Sequence, residues 1–534
     1  MLIKGAHILF VPPTPVNLAV LRRWLVHYTD KSAAAVLEQG FSQGFSLGFH
    51  GPRVSQEADS LKSAQDMPNI VLRKLNIEIE LGRIAGPFSS PPFPNLQCSP
   101  IGLVPKQQPG SFRLIHHLSY PSGDSVNDYI SKDECKVHYA SFDTAMDLAM
   151  SVGPQSWLAK ADIKSAFRLL PVAPSDYELL GFKFQDRFYY DMCLPMGCRI
   201  SCSHFEMFST FLEFHIKRVS DTTAVTHYLD DFLFVGRSKQ QCNALLTSFR
   251  SCCAQLRVPL AEEKTEGPCQ VITFLGLEID TVHREVRVPQ RKVVALREKI
   301  QACLERRKLT LKEIQSLIGS LNFVCRAIAP GRAFTRRLIS LTRGIKKPHH
   351  RVRISPGAKL DLLVWLEFLD HFNGVSAFRD QAWQDNDTLE LFTDAAASIG
   401  FGGYFDGHWF QGEWTPELRA ISPSIAYCEF YPLVIAVYCW GPRLANRKVR
   451  FHTDNESVVH IINKQSSNCD RIMHLVRLFV CQCLRYNVTF KAVHIPGVHN
   501  DIADSLSRFQ VNRFRTLAPQ ADKTMTPIPD LLRA

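Results

Sequence analysis

Two adjacent aspartates, Asp230 and Asp231, lie between apolar residues in Tyr228-Leu229-Asp230-Asp231-Phe232-Leu233-Phe234-Val235. Neighbouring carboxylates repel each other and resist desolvation. A pair of Mg²⁺ ions removes that penalty, because hard divalent ions prefer carboxylate and phosphate oxygens. Two metals about 3.5–4 Å apart stabilise the attacking and leaving oxygens of phosphoryl transfer. A further aspartate, Asp162, stands in Ala161-Asp162-Ile163-Lys164-Ser165-Ala166-Phe167, directly after the apolar Trp157-Leu158-Ala159. An isolated Asp-Asp pair is more often a solvated turn. Here the apolar flanks predict a strand–turn–strand unit with the aspartates at the tip of a hairpin.

A second acidic set lies near the other end of the chain. Asp394 and Asp454 end the strand-like runs Leu389–Thr393 and Val449–Thr453. Glu429 lies in the apolar helical run Ile425–Trp440, and Asp504 in His499-Asn500-Asp501-Ile502-Ala503-Asp504-Ser505-Leu506. Each acid alone is uninformative. Acids at two strand ends and on two helices can converge on one metal cluster, and strand carboxyl ends are where such sites form in open sheets.

These residues need a folded frame, and the composition supplies one. The chain has 534 residues, 46% hydrophobic and 21% charged, an ordinary globular balance. Wholesale disorder, collagen-like chains and coiled coils are excluded. Lys and Arg number 62 against 51 acids, a formal charge of +11 that is compatible with a polyanionic partner. Sixteen cysteines are too few for a disulfide scaffold. The apolar stretch Ile8–Leu25 is broken by Pro12, Pro13 and Pro15 and carries Arg22 and Arg23, so it is neither a signal core nor a membrane span. An intracellular protein is expected, in cytoplasm or nucleus, with reduced thiols and no membrane partner.

Along the chain, residues 1–85 read as a helical lead-in without chemistry, and a Pro/Ser-rich linker opens the next region at 86–100. From 101 to 285 strand-like and helical runs alternate, an α+β or α/β pattern. Residues 286–387 turn helical and basic. Between Arg291 and Arg353 there are 17 Lys/Arg against Glu298, Glu305 and Glu313. Such a face suits a duplex backbone, although a solvated basic face reads the same. Strands return over 388–510, at Thr388–Thr393, Gly400–Phe405, His408–Trp414, Lys448–Thr453 and Val488–His494. Residues 511–534 lack periodicity and read as a tail.

Tyr-Leu-Asp-Asp, the preceding Asp-x-Lys-x-Ala-Phe and the intervening Leu194-Pro195-Met196-Gly197 resemble the palm motifs of reverse transcriptases in order and spacing, over about 98–285. The resemblance implies a right-hand polymerase with fingers, palm and helical thumb or connection. It implies that Asp162 and Asp230 bind two Mg²⁺ ions, with Asp231 completing the set and Mn²⁺ an alternative metal. Phe167 stands where the family places an aromatic gate against the ribose 2′-OH; plain core packing is the competing reading. Lys106 and Arg113 match fingers residues that grip the incoming dNTP triphosphate, where a solvated basic loop is the alternative. Lys264 resembles the palm lysine beside the pyrophosphate leaving group. Phe274-Leu275-Gly276-Leu277-Glu278-Ile279-Asp280 resembles the primer grip. Met196 and Gly197 lie in a loop resembling the template- and nucleotide-contacting loop. Met196 stands where retroviral members carry glutamine, and Cys202 where proline is usual, which bears on any polar contact there. Cys193, Cys198, Cys202 and His204 fall inside this loop, which disfavours zinc.

The later acids resemble the ribonuclease H family over about 388–510, a mixed-sheet α/β domain. Asp394, Glu429, Asp454 and Asp504 would be its two-Mg²⁺ carboxylates, activating water rather than a primer 3′-OH. His494 matches the family's mobile histidine, and His499 is the rival. The basic segment and Thr14-Pro15-Val16-Asn17 look most like tyrosine-recombinase (DIRS-type) retrotransposon polyproteins. The expected activity is RNA- and DNA-directed DNA synthesis with linked cutting of RNA in RNA–DNA hybrids. RNA template, DNA primer, hybrid and dNTPs are the expected partners. A host-retained nucleic-acid-binding protein that has lost one or both activities is the alternative.

Overall fold

The computed structural model describes residues 12–106, 110–371, 373, 376–377, 382–420, 424–486 and 488–532. They form two compact units, Met1–Arg284 and Glu285–Ala534.

The first unit is organised by a four-stranded antiparallel sheet in the order Val225–Tyr228, Asp231–Gly236, Trp157–Asp162, Glu266–Cys269. Phe232, Leu233, Phe234 and Val235 are all fully buried. A continuous apolar run of this kind marks a strand covered on both faces. Helices Phe142–Val152, Ser201–Val219 and Lys239–Leu256 pack on it. Ser141 and Ser238 cap two of them by accepting the N–H groups of Thr144 and Gln241. Small sheets and hairpins surround this sheet. The strands Ile84–Phe88, Arg187–Asp191 and Gly181–Phe184 form one, and Ile101–Pro105 with Phe112–His116 forms another.

The expected lead-in over 1–85 is not a separate body. Val16, Leu21, Trp24, Leu25, Leu37 and Phe41 enter the same core as the central sheet, and the N–H of Asn17 donates to the carbonyl of Leu256 at 2.8 Å. The short amphipathic helix Leu18–Leu25 cannot bury its apolar face alone, so it completes this core. The expected linker is also structured. Gln97, Cys98 and Ser99 are buried, and their N–H groups donate to the carbonyls of Glu178, Gln56 and Gly181. The proline and serine content set the local backbone, but these tertiary bonds hold it.

The second unit starts with helices Gln290–Glu305, Leu311–Val324 and Pro356–His371. Thr310 and Glu313 form a reciprocal capping box on the second of these. An antiparallel sheet follows, Leu391–Ala396, Gly400–Phe405 and His408–Glu413, with a parallel pair, Lys448–Thr453 and Thr489–His494. The strand Leu391–Ala396 starts later than the predicted Thr388–Thr393, because Asn386–Leu389 is a helical turn. The basic helices and the later sheet do not separate near 387. Buried Asp361 on Pro356–His371 accepts from Arg337 at 2.9 Å and from Arg477 on Asp470–Arg485 at 3.3 Å, so Arg337 is committed to an internal ion pair.

The tail is likewise integral. Phe514, Ala518 and Ala521 pack with Tyr404 and Trp409, and the indole of Trp409 donates to the carbonyl of Asp522 at 2.8 Å. The helix Val511–Leu517 has only seven residues, too few to show a period in the sequence. All sixteen cysteines are free thiols. Among the described residues no helix is long and apolar enough to cross a membrane.

Candidate active sites

In the first unit, Leu229 and Asp230 form the two-residue turn that joins Val225–Tyr228 to Asp231–Gly236, with Tyr228 paired to Asp231. Such a tight turn needs a positive φ at its first central position, and Leu229 adopts φ +51°. Asp162 ends the neighbouring strand as the cross-strand partner of Asp231. The N–H of Ile163 donates to the carbonyl of Asp230 at 3.0 Å. Sheet register therefore brings Asp162, distant in sequence, to the adjacent pair Asp230 and Asp231.

Their electrostatics match a cation site. Burial, then the neighbouring Asp230 and Asp162, push the Asp231 carboxyl up to about 7. Burial and Asp162 also raise Asp230, while Lys264 and Arg113 pull it down. Asp162 is only 5% exposed, and its Oδ2 accepts from Lys264 Nζ at 2.6 Å. One ammonium facing three acids leaves an excess of hard oxygen donors, the donor set that Mg²⁺ or Mn²⁺ prefers.

A cleft of about 390 Å³ opens beside these acids, lined by Asp162, Asp230, Phe167, Met196, Lys106, Arg113 and Lys264. The sequence-predicted nucleotide-side residues thus share one space. Gly197 does not line it but shapes its wall. Its φ is +119°, and a Cβ there would stand 1.9 Å from the carbonyl oxygen of His116. The carbonyls of Met196 and Gly197 accept from the N–H of His116 at 3.1 Å and from Asn127 Nδ2 at 2.8 Å. Phe167 packs edge-on to buried Phe205, with centroids 5.7 Å apart, and also lines the cleft. On the other side of Asp231 a cavity of about 630 Å³ is lined by Lys264 and by Thr273 to Gly276. The tip of the hairpin Val271–Phe274/Leu277–Asp280, the predicted primer grip, opens onto it.

Sequence reasoning missed Lys74. It lies in the helix Pro68–Glu80, inside the supposed chemistry-free lead-in, yet it lines the cleft. Burial, then the charges of Lys106 and Arg73, lower its pKa. Its linear sequence reads as an ordinary helix surface, and only the packed structure brings it to the cleft beside Lys106.

In the second unit, Asp394, Glu429 and Asp454 each present a carboxylate oxygen, all within 4.8 Å of one another. Asp394 lies in Leu391–Ala396, Glu429 in the helix Ile425–Trp440, and Asp454 just past Lys448–Thr453. Burial, then Asp394 and Asp454, push Glu429 up to about 9. Burial also raises Asp394, with Asp454 and Asp504 adding to it, against a 2.6 Å hydrogen bond from Ser507 Oγ. Asn500 Nδ2 donates to the carbonyl of Thr393 at 2.9 Å and fixes the strand beneath. Ser507 and Asn500 had no distinguishing pattern in the sequence. These three acids again form a hard-oxygen set suited to Mg²⁺ or Mn²⁺.

The predicted fourth acid, Asp504, stands outside this triad. Arg508 Nε and Arg513 Nη1 donate to its two carboxylate oxygens at 2.6 and 2.8 Å. Burial raises its pKa, but the bonds from both arginines outweigh that and hold it below the ordinary value. The two arginines follow within nine residues, Arg508 at the end of the helix Asp501–Ser507 and Arg513 in Val511–Leu517, which the sequence left as tail. His494 is exposed at the end of Thr489–His494, with Nε2 3.1 Å from the carbonyl oxygen of Asp454. It is therefore at the rim of the triad, while His499 lies in the turn Gly497–His499.

Residues 104–279 match the family described as reverse transcriptase (RNA-dependent DNA polymerase), so this stretch is a reverse transcriptase domain. Protein P of Duck hepatitis B virus is 30% identical over 164 residues, which are 30% of this chain and 19% of that protein. The transposon Tf2-7 polyprotein of Schizosaccharomyces pombe is 20% identical over 453 residues, 83% of this chain and 31% of that protein. The chain thus spans less than a third of these relatives. The structure of the foamy viral protease-reverse transcriptase dRH in complex with double-stranded DNA shares the fold with a TM-score of 0.51 at 14% identity. That alignment covers 93% of this chain and 84% of the other. The architecture is a polymerase-type α/β body followed by a ribonuclease H-like one.

Proposed function

We propose that this chain copies RNA, and DNA, into DNA and cuts the RNA of the resulting hybrid, in the replication of a retroelement of the tyrosine-recombinase (DIRS) kind. The observation that carries the reading is the meeting of Asp162, Asp230 and Asp231 at the edge of a cleft walled by Lys106, Arg113 and Phe167. A phosphatase site would need no aromatic wall beside its acids. In this reading Asp162, Asp230 and Asp231 hold two divalent cations, Mg²⁺ or Mn²⁺, which when bound supply Lewis-acid stabilisation of the reacting oxygens. Lys106 and Arg113 bind the triphosphate and offset the charge that develops on it. Lys264, already paired with Asp162, stands ready for the pyrophosphate side. Phe167 fills the space beside the sugar, and the tip Thr273 to Gly276 orients the primer end.

At the second site Asp394, Glu429 and Asp454 would hold the cations for hydrolysis. Asp504 joins them only if Arg508 and Arg513 release it. His494 at the rim would move a proton or assist product release. Sixteen unpaired cysteines support a reducing setting, cytoplasm or nucleus.

Primer extension on an RNA template with Mg²⁺, comparing wild type with Asp230→Asn, tests the first activity. Loss of extension with hybrid cutting retained is the expected result, and wild-type extension by the mutant would overturn the assignment. Asp394→Asn is the reciprocal variant, expected to lose RNA cutting and keep extension on DNA. A wild type that binds hybrids but performs neither reaction would favour the host-retained binding protein.

A further inference from the structure

Behind the turn that carries Asp230 lies a buried polar network which the proposed chemistry does not use. Glu206 and Glu213 are on the helix Ser201–Val219, and His227 is on the strand Val225–Tyr228. Glu206 is 8% exposed and His227 is 6% exposed. His227 Nδ1 makes a short hydrogen bond with Glu213 Oε2, and its Nε2 lies 3.3 Å from Glu206 Oε1. Lys217 Nζ donates to the other oxygen of Glu213 at 2.5 Å. The second oxygen of Glu206 accepts the N–H of Leu229 at 3.2 Å.

That last bond falls on the one residue of the turn that is out of its natural conformation. Leu229 holds φ +51°, a region that glycine enters freely and leucine does not. Strained backbone of this kind persists only where its surroundings over-determine it. The leucine side chain packs against the core, and the N–H is gripped by Glu206. The next residue is Asp230.

In this network His227 lies between the two glutamates, and Lys217 bonds the far oxygen of Glu213. Burial alone would lower the His227 pKa, but the nearby Glu206 and the bond to Glu213 reverse this and hold it up to about 9. The His227 ring is further fixed by stacking on Phe232, with centroids 5.2 Å apart. Other titratable groups near the two glutamates include Tyr28, toward Glu213, and Tyr139 and Cys202, toward Glu206. All three are neutral at physiological pH.

We propose that Glu206 is a positioning residue for DNA synthesis: its carboxylate, braced by His227 and Glu213, pins the Leu229 N–H and so fixes Asp230 at the metal-binding point. The proposal rests on the polymerase reading of this site. The full chain is compared as wild type, Glu206→Gln and Glu206→Met, by steady-state incorporation of a dNTP on an RNA template over a Mg²⁺ titration. Thermal unfolding and primer–template binding report on the folded state. Gln keeps an acceptor oxygen for the N–H, whereas Met keeps length and helix propensity but accepts nothing. Glu206→Met should lower kcat by about 10–100-fold, the scale of a misplacement of about 1 Å. Its dNTP KM should stay near wild type, and its half-saturating Mg²⁺ should rise. Glu206→Gln should recover kcat to within a few-fold of wild type.

Wild-type kcat and Mg²⁺ dependence in a folded Glu206→Met protein would overturn the proposal. Equal impairment of the Met and Gln variants would also overturn it, because the acceptor would then not be the operative feature. Should Glu206→Met fail to fold, His227→Gln reads the same network. There a kcat loss with unchanged dNTP KM supports the proposal, and a wild-type profile sinks it. Absence of extension by the wild type is a different result, since it removes the polymerase reading itself.

Discussion

Gly197→Ala tests how the cleft wall is held. Two effects act at this position and they can be separated. First, φ +119° lies in a region that is essentially glycine-only; a non-glycine residue there costs about 1–3 kcal/mol. Second, the new Cβ would meet the carbonyl oxygen of His116 at 1.9 Å and its carbon at 3.1 Å. Restoring ordinary contact requires about 1.5 Å of movement, between backbones that cannot swing aside as a flexible side chain would. Both carbonyls flanking the site are hydrogen-bonded, to the N–H of His116 and to Asn127, so displacement also strains or breaks those bonds. A loss of about 2–3 kcal/mol follows, which at about 2–4 °C per kcal/mol lowers the thermal midpoint by about 4–12 °C. Met196 lines the cleft and moves with the loop, so incorporation should fall by about 100-fold, as for a misplacement of about 1 Å. Gly153→Ala is the control. Its φ is +121°, yet nothing stands within 4 Å of its would-be Cβ. It should show the strain in the thermal midpoint and leave incorporation intact. The pair is read by thermal unfolding and single-nucleotide incorporation on one primer–template. If Gly197→Ala matches the Gly153→Ala control in both assays, the close approach to His116 does not shape the cleft.

Phe167→Ala should raise rNTP over dNTP incorporation by one to two orders of magnitude, since exclusion of a hydroxyl by shape is worth about 100-fold. Unchanged selectivity in a folded, active mutant would leave the ring as core packing against Phe205 alone. Lys74→Met should raise the dNTP KM more than it changes kcat, because the helix places a cation beside Lys106 and Arg113, which in the proposed reading bind the triphosphate. An unaltered KM would return Lys74 to an ordinary helix surface. Glu429 supplies the pH dependence. Its folded pKa, pushed up to about 9, exceeds the unfolded value of about 4.3, so the folded state binds the extra proton between these values. In EDTA, stability should therefore fall as pH rises across that window, and Glu429→Gln should flatten the fall, read from the thermal midpoint against pH. Mg²⁺ must displace the same proton, so its apparent affinity for this site should increase with pH. An identical slope for Glu429→Gln and wild type would refute the shift.

Much was legible in the chain itself. Apolar residues on both sides of Asp230-Asp231 leave a tight hairpin as the natural form, and the apolar Trp157-Leu158-Ala159 stands directly before Asp162. Local hydrophobic period and turn length carry that information, because each acts over a few residues. The helix bearing Glu429 was read with its observed bounds, Ile425–Trp440, since a sixteen-residue apolar run is longer than a typical strand. Where local signals were weak, tertiary contacts decided. The helix Leu18–Leu25 became core because its apolar face needs a partner far away in sequence. Residues 511–532 joined the second body through Phe514 and the backbone acceptor for Trp409. The same rule holds for chemistry. Which acids meet was set by register, Asp162 opposite Asp231, and by helix placement. Asp504 was withheld from its triad by Arg508 and Arg513. Residue type and spacing show that a carboxylate is available; only the packed structure determines which charges surround it, and therefore whether it binds a proton, a cation or an arginine.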